Sequence, residues 1–231
     1  MTPWSLETRA VIGDSDGGRK TCYFGFVSST TEVRVPTRKQ VLTDMRREEI
    51  LTAAIKVFGK KGFAATCVGD VADAAKMAKG TVYLYFDSKE EIYATAIHLA
   101  VERLQALAEE RTRAATGVRE RLAVAISVRM EFWHEQINLY RLLLTVGREP
   151  QHKRQTHDLL RLGHAYFVGI LKEGVEAGEI AGTVDLETVA WAILDMVRGA
   201  NERRMDSLTD RTPQEDAAAI TAFALSQLGL A

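Results

Sequence analysis

The segment Lys79–Lys89 concentrates side chains that could contact a nucleic acid. Ammonium and hydroxyl groups bind phosphate oxygens, and a glycine lets the backbone come close to a base edge. We therefore predict a DNA-binding surface with two kinds of contact. The predicted phosphate contacts are Thr66, Thr81, Tyr85 and Lys89, and the predicted base-edge contacts are Lys79, Gly80 and Leu84, with Tyr83 on the border. Leu84 has no hydrogen-bonding group, so we expect it to contact a thymine methyl.

A second group of residues, further along the chain, has the composition of a small-molecule pocket. Its members are aromatic side chains with a few polar tips, drawn from three successive predicted helices. They are Arg129, Trp133, His134, Tyr140 and Tyr166. The alternative interpretation is that these aromatic residues simply fill the core.

We predict neither catalysis nor a bound metal or cofactor. His134, His152, His157 and His164 lie in the second half of the chain without the spacing or the acidic partners of a metal site. No serine lies in a nucleophile elbow, and no dinucleotide-binding fingerprint is present. Cys22 and Cys67 are far apart, which fits a reducing, cytoplasmic compartment.

The predicted DNA contacts belong to a helix-turn-helix pattern. Val68, Val71, Ala72 and Ala75 recur at helical spacing, and Thr66 is the predicted N-cap. Lys76–Ala78 forms a sharp turn, after which we predict a second helix over Lys79–Phe86. In that helix Val82 and Phe86 are buried, while the remaining residues face partly or wholly outward.

Apolar spacing and capping residues predict helices in the rest of the chain as well. One runs from Asp44 to Lys61 and ends at Gly62, and a capping box at Ser88 opens another that continues to about Arg113. The later helices are predicted over Val118–His134, Ile137–Val146 and Gln155–Ala177, from a cap at Asp185 to Asn201, and onward from a cap at Thr212.

The block from Ile50 to Ile92 resembles the tetracycline-repressor (TetR) family of bacterial transcription regulators. The matching positions are Ile50, Ala53, Ala54, Phe58, Gly62, Phe63, Ala65, Thr66, Val71, Ala72, Lys79, Gly80, Thr81, Val82, Tyr83, Tyr85, Phe86, Ser88, Lys89 and Glu90. The family usually has glycine where this chain has Lys76 and a capping serine where it has Ala78. A non-glycine residue in a left-handed turn costs about 1 kcal/mol, and alanine cannot cap a helix.

The resemblance implies an all-α fold: an N-terminal three-helix bundle with the helix-turn-helix, joined to a larger helical ligand-binding and dimerisation domain. It implies a homodimer that binds a near-palindromic double-stranded DNA operator, commonly as a repressor, and that responds to a small-molecule effector. The domain boundaries we predict are 1–43 for a disordered extension, 44–91 for the DNA-binding domain and 92–231 for the ligand-binding domain. Two alternatives stay open: a DNA-binding protein that controls a protein partner, and a ligand-binding module whose weakened turn no longer binds DNA.

The last two predicted helices carry more apolar surface than one chain can readily cover, which also predicts pairing with a second copy. The residues concerned are Leu186, Val189, Ala190, Ile193, Leu194, Met196, Val197 and Ala200, followed by Ala217, Ala218, Ile220, Ala224, Leu225 and Leu228.

The net charge and the hydropathy of the chain limit its function and its location. The formal net charge of the 231 residues is −1, so DNA binding must rest on local placement of cations. No apolar run reaches membrane-spanning length, and the N-terminus lacks the apolar core of a signal peptide. Residues 1–43 show no sustained periodicity, and Met45 is an alternative start of the chain.

Overall fold

The computed structural model describes residues 8–15, 19–26 and 37–230. It divides into a unit of residues 1–44 and a unit of residues 45–231. In the first unit, strand β1 (Thr8–Ser15) pairs antiparallel with β2 (Arg19–Phe26). We predicted disorder there, so these two strands depart from the expectation. Both carry β-branched or aromatic residues, whose strand propensity does not depend on a clean alternation.

Helix α1 (Arg38–Lys61) begins six residues earlier than the predicted Asp44. A reciprocal cap explains the earlier start, because Gln40 N donates to Thr37 Oγ1 at 3.3 Å and Thr37 N donates to Gln40 Oε1 at 2.8 Å. The helix ends where predicted: Gly62 has a φ of +84°, a conformation that glycine adopts without steric cost.

Helices α2 (Val68–Ala74) and α3 (Lys79–Tyr83) complete the three-helix DNA-binding domain. α3 is shorter than predicted, because Leu84 N donates to Thr81 O and closes the helix at its C-cap. Ile50, Phe58, Val71, Val82 and Phe86 are buried together in this part of the molecule. Val82 and Phe86 are thus buried as predicted.

Six helices follow: α4 (Lys89–Thr112), α5 (Gly117–Glu135), α6 (Ile137–Val146), α7 (Pro150–Glu176), α8 (Leu186–Met205) and α9 (Pro213–Gln227). Side chains of Ser88, Asp185 and Thr212 cap their helices as predicted. α7 begins at Pro150 and not at Gln155, because proline fits the first turn of a helix, whose N–H groups are unpaired in any case.

The larger helical body packs around α5. This helix lies against α4, α7, α8 and α9, and its Leu122, Ala125, Ile126 and Met130 have no exposed surface. Over residues 37–230 every regular element is a helix, which confirms the predicted all-α architecture of an N-terminal helix-turn-helix and a larger helical domain. None of the helices in the described ranges is long and apolar enough to cross a membrane.

The apolar faces of α8 and α9 are mostly covered within the chain. Ala190, Ile193, Val197, Ile220 and Leu225 are all buried against neighbouring helices of the same protomer. Our sequence argument for an uncovered face was therefore wrong for these positions. The large apolar side chains left exposed on the two helices are Trp191, at 37% exposure, and Phe223, at 50%.

Candidate DNA-binding interface and body cavity

The turn between α2 and α3 is a Schellman-type helix end with a lysine at its left-handed position. Lys76 has a φ of +56°. Met77 N donates to Ala72 O at 2.9 Å, and Lys76 N donates to Asp73 O at 3.1 Å, which satisfies two carbonyls at the end of α2. Ala78 precedes α3 in an extended conformation and offers no side-chain cap. The turn thus keeps its geometry without glycine or serine at these two positions.

The outer face of α3 is exposed. Leu84 shows 81% of its surface and Tyr83 shows 45%, and Lys79 and Gly80 are also exposed. The Lys79 ammonium lies 5.8 Å from the centre of the Tyr83 ring. A Cβ built on Gly80 would meet no atom of the described residues within 4 Å. The predicted base-edge residues therefore form one continuous surface, free for a partner to approach.

Two of the predicted phosphate contacts are occupied inside the protein. Lys89 Nζ donates to three carbonyls, those of Phe63 at 2.9 Å, Ala64 at 3.1 Å and Thr66 at 2.9 Å. An ammonium has three donors, so this set uses all of them. Thr66 is 3% exposed, and its hydroxyl donates to Gly62 O at 2.7 Å. Both side chains fix the α1–α2 connection in this structure, and their predicted contact with DNA stays a prediction.

Thr66 is also not the N-cap of α2. That position belongs to Cys67, whose backbone N–H donates to Asp70 Oδ2 at 2.7 Å. The other Asp70 oxygen accepts from Lys61 Nζ at 2.7 Å. The Cys67 backbone bond, together with Lys61, lowers the pKa of the Asp70 carboxyl well below its usual range. The start of α2 is thus anchored to the end of α1.

Arg47 is an arginine of α1 whose contacts lie inside the protein. Its Nη1 donates to Tyr85 O at 2.6 Å, and its guanidinium carbon lies 4.3 Å above the centre of the Phe86 ring. This contact ties α1 to the residues that follow α3. Thr81 and Tyr85 are half-buried on the same domain, and their predicted phosphate contacts stay predictions.

A cavity of about 120 Å³ lies in the body, between α4, α5, α6, α7 and α8. Its lining is mainly aliphatic and aromatic. The residues around it are Val101, Leu104, Gln105, Arg129, Trp133, Tyr140, Leu143, Leu144, Arg148, Thr156, Leu159, Leu160, Leu162, Gly163, Tyr166, Leu194, Val197, Arg198 and Asn201. Three arginines are present among them, and no carboxylate.

The structure brings four of the five predicted pocket residues to this cavity: Arg129, Trp133, Tyr140 and Tyr166. His134, which we also predicted for the pocket, is exposed on α5 and does not line this cavity. One helical step separates His134 from Trp133, so the two side chains point to different sides of α5. The aliphatic lining was missed, because leucine and valine at helical spacing give the same pattern whether they face a core or a cavity.

Arg129 is buried at 5% exposure in the wall of the cavity. Its guanidinium carbon lies 4.3 Å from the centre of the Tyr166 ring and 4.7 Å from that of Phe167, and Nη1 donates to Ala125 O at 3.3 Å. Burial lowers the pKa of Arg129 to about 10. The side chain therefore remains a cation at neutral pH in an environment of low polarity.

The other two arginines of the cavity have acidic neighbours. Arg148 Nη2 lies 3.9 Å from Glu202 Oε2, and its side chain is 70% exposed. Arg198 lies 3.3 Å from Asp195 and 3.9 Å from Glu202. Tyr140, whose hydroxyl donates to Arg198 O at 3.3 Å, belongs to the same corner. The part of the cavity wall around Arg148 and Arg198 is thus polar, and nearby carboxylates partly neutralise its positive charge. The surroundings of Arg129 are apolar by comparison.

An aromatic cluster joins the start of α7 to the DNA-binding domain. The His152 ring lies 5.0 Å from that of Tyr93 on α4 and 6.1 Å from that of Phe63, whose carbonyl binds Lys89. His152 Nε2 is buried and has no hydrogen-bond partner within the described part of the chain. Since Thr156, one turn further along α7, lines the cavity, the cluster connects cavity and DNA-binding domain through packed side chains.

The remaining histidines form no metal site among the described residues. His157 is exposed, and His164 stacks on Trp191 with ring centres 4.2 Å apart. Cys67 is an exposed free cysteine.

Comparison with known proteins agrees with this arrangement. Residues 50–96 match the family described as bacterial regulatory proteins, tetR family. The fatty acid metabolism regulator protein of Bacillus subtilis is 27% identical over 162 residues, covering 64% of this chain and 84% of the relative. The transcriptional repressor NicS of Pseudomonas putida is 30% identical over 142 residues, covering 60% of this chain and 66% of the relative.

Solved structures share the fold. The regulator FadR from Bacillus subtilis, in complex with stearoyl-CoA, superposes with a TM-score of 0.71 at 22% identity, over 78% of this chain and 98% of that one. The TetR family regulator PfmR from Thermus thermophilus gives a TM-score of 0.64 at 28% identity, over 77% and 97%. With its helix-turn-helix followed by a helical body, the chain belongs to the TetR family of bacterial transcriptional regulators, which bind operator DNA as dimers and respond to small-molecule effectors.

Proposed function

We propose that this regulator is a repressor that binds a near-palindromic operator as a homodimer and leaves it when an effector enters the body cavity. One observation carries the DNA-binding part: the outer face of α3, with Leu84 at 81% exposure beside Lys79 and Gly80, is left open by the fold. A short helix with an exposed cation and an uncovered backbone fits a major groove. Two such helices in a dimer would bind two half-sites on one side of the duplex.

The effector part is supported by the cavity and its largely apolar lining. FadR from Bacillus subtilis was solved with stearoyl-CoA, a ligand with a long hydrocarbon chain. We propose that the effector of the present regulator also places a hydrocarbon portion against Leu104, Leu143 and Leu159. Such a ligand gains affinity from the apolar surface it buries.

The route from cavity to DNA runs through the start of α7. Thr156 borders the cavity and donates to Gly147 O at 3.0 Å, and His152 on the same helix packs on Tyr93 and Phe63. An effector that displaces α7 would therefore shift Phe63, to whose carbonyl Lys89 is bound. The ligand needs a higher affinity for the displaced state to change the equilibrium.

Selection of duplexes from a random DNA pool by the full-length protein tests this proposal. We expect a two-fold symmetric sequence to be enriched, and Leu84→Ala to change the preferred base at one position of each half-site. Arg161→Ala, on the exposed surface of α7, is the matched control and should enrich the same sequence as the wild type. Enrichment of no sequence would contradict the proposal.

The same selection, together with a measurement of transcription of the adjacent gene, distinguishes the two alternatives. A protein that controls a protein partner would enrich an operator but leave transcription of the adjacent gene unchanged. A ligand-binding module with a weakened turn would enrich none. The ordered hydrogen bonds around Lys76 favour intact DNA binding. We assign no catalytic activity and a cytoplasmic location, in keeping with DNA binding as the function.

We further propose that residues 1–43 are an extension outside the DNA-binding and ligand-binding domains. The division of the chain at residue 44 supports this boundary. A chain beginning at Met45 should then keep its operator sequence.

A further inference from the structure

We propose that the effector carries an anionic group at its buried end and that Arg129 binds this group. The inference rests on the proposed effector site in the body cavity and adds the chemical class of the ligand: a hydrocarbon with one carboxylate or phosphate.

The first support is the isolation of the Arg129 charge. The side chain is 5% exposed, and none of the ion pairs within 4.0 Å in the described part of the chain includes it. A buried cation is ordinarily paired with an anion, because its transfer out of water carries a large cost in free energy. The aromatic faces of Tyr166 and Phe167 compensate part of this cost, but they cannot neutralise the charge.

The second support is the position of the guanidinium at the cavity wall. Arg129 lines the cavity, and the lining contains no carboxylate that could compete for it. The planar fork of a guanidinium matches the two oxygens of a carboxylate or a phosphate. Tyr166, whose hydroxyl is 3.2 Å from Thr112 Oγ1, stands beside the fork and lines the same cavity. An entering anion would thus find a charged donor and a hydroxyl together.

The third support is the contrast with the other arginines of the cavity. Arg148 and Arg198 already have Glu202 or Asp195 as neighbours, and Arg148 is largely exposed. A carboxylate nearby screens their attraction for an anion. Among the residues that the structure describes, Arg129 is therefore the cation of this lining without a counter-ion. This orients the ligand with its charged end toward α5 and its hydrocarbon toward the leucines.

Calorimetric titration of the full-length protein at neutral pH with three probes tests the inference. Octanoate and octyl phosphate are anions that each contain eight carbon atoms, while octanamide is a neutral isostere of octanoate. We expect one of the anions to bind about tenfold or more tightly than octanamide, as for a charge-assisted pair in a site of low polarity. Which anion is preferred distinguishes a carboxylate from a phosphate ligand.

Arg129→Met keeps the aliphatic stem between the two rings and removes the charge. We expect it to abolish the preference for the anion while leaving the affinity for octanamide within about threefold. Arg161→Met, an exposed arginine of α7 outside the cavity, is the matched control and should keep the preference. If Arg129→Met fails to fold, Arg148→Met decides the inference: a preference for the anion that persists in this variant supports Arg129, and one that disappears places the anion at the exposed Arg148.

Equal affinity of the wild type for anions and octanamide overturns the inference, and so does failure of both anions to bind up to their solubility. A preference that survives in Arg129→Met and disappears in Arg148→Met also overturns it, since the exposed corner would then be the anion site. Operator binding measured on the same samples keeps the two proposals apart: if DNA is bound and octanamide displaces it, the proposed function stands although Arg129 has no such role.

Discussion

Lys89 Nζ lies 2.9 Å from the carbonyl oxygen of Thr66, 23 residues earlier in the chain. Because the same ammonium also binds Phe63 O and Ala64 O, the first residue of α4 holds the loop between α1 and α2 in place. A lysine in a DNA-binding domain is readily assigned to a phosphate. Here its three contacts with carbonyl oxygens hold the α1–α2 loop in place.

Lys89→Met should destabilise the DNA-binding domain, because three carbonyls lose a charged donor, at about 1.5–3 kcal/mol per such hydrogen bond as an upper guide. The salt dependence of DNA binding should keep its slope. Lys79→Met is the paired control: the side chain is exposed, so the melting temperature should not change, whereas discrimination at one base pair of each half-site should fall by about 1–3 kcal/mol. A flattened slope for Lys89→Met at unchanged stability would restore its assignment as a phosphate contact.

Gly80→Ala should lower operator affinity without lowering the stability of the protein. A Cβ at Gly80 meets nothing within 4 Å, and alanine in a helix is favoured over glycine by up to about 1 kcal/mol, so the free protein should be as stable or more stable. Operator affinity should fall, because the added methyl occupies the space that DNA approaches. Gly169→Ala on α7 also meets nothing within 4 Å and should leave operator affinity as it is. Unchanged DNA affinity in Gly80→Ala would show that the backbone there stays away from the duplex.

Lys76→Gly should stabilise the protein. Lys76 holds a φ of +56°, and relief of a left-handed non-glycine residue is worth about 1 kcal/mol. Lys76→Ala keeps the strain and serves as the control, with no gain in the free energy of unfolding. Chemical denaturation measures both variants, and equal stability of Lys76→Gly and Lys76→Ala would mean that the turn stores no such strain.

Phe223→Asp should weaken the dimer. Phe223 is 50% exposed on α9 in the isolated protomer, so a charge there does not disturb the core of the chain. Leu208, which is 73% exposed after α8, provides a matched exposed apolar position for Leu208→Asp. Light scattering at micromolar concentration should show monomers for Phe223→Asp and dimers for the control. Dimers in both cases would place the interface elsewhere on the body.

Acidification should loosen the junction at His152. Burial lowers the pKa of His152 in the folded protein, against the opposing effect of Glu149 and Glu90. The unfolded chain then binds the proton more readily, so this contribution to stability is present above the unfolded pKa, near 6.5, and is lost as the pH falls below it. His152→Phe, which keeps an aromatic ring beside Tyr93 and Phe63, should reduce the loss of stability between neutral and mildly acid pH. An identical pH profile for wild type and variant would contradict this assignment.

The sequence by itself determined the local elements of this protein and the domain that binds DNA. Helical spacing and caps at Ser88, Asp185 and Thr212 fix α4, α8 and α9, since the groups involved lie within a few residues of one another. The sharp turn at Lys76–Ala78 and the outward position of Leu84 followed from the same short-range pattern, whereas the left-handed conformation of Lys76 was implied by the resemblance to the family.

The tertiary structure alone decided which polar groups are free and where the cavity lies. Lys89 meets its carbonyls 23 to 26 residues away and Arg47 meets Tyr85 O 38 residues away, so no local pattern shows that these cations are occupied. Arg129 is the converse case, a charge on a buried helix face whose lack of a counter-ion emerges only when α4, α6, α7 and α8 surround it. Periodicity reports which face of a helix is buried, whereas the partner of a buried charge depends on packing between distant segments.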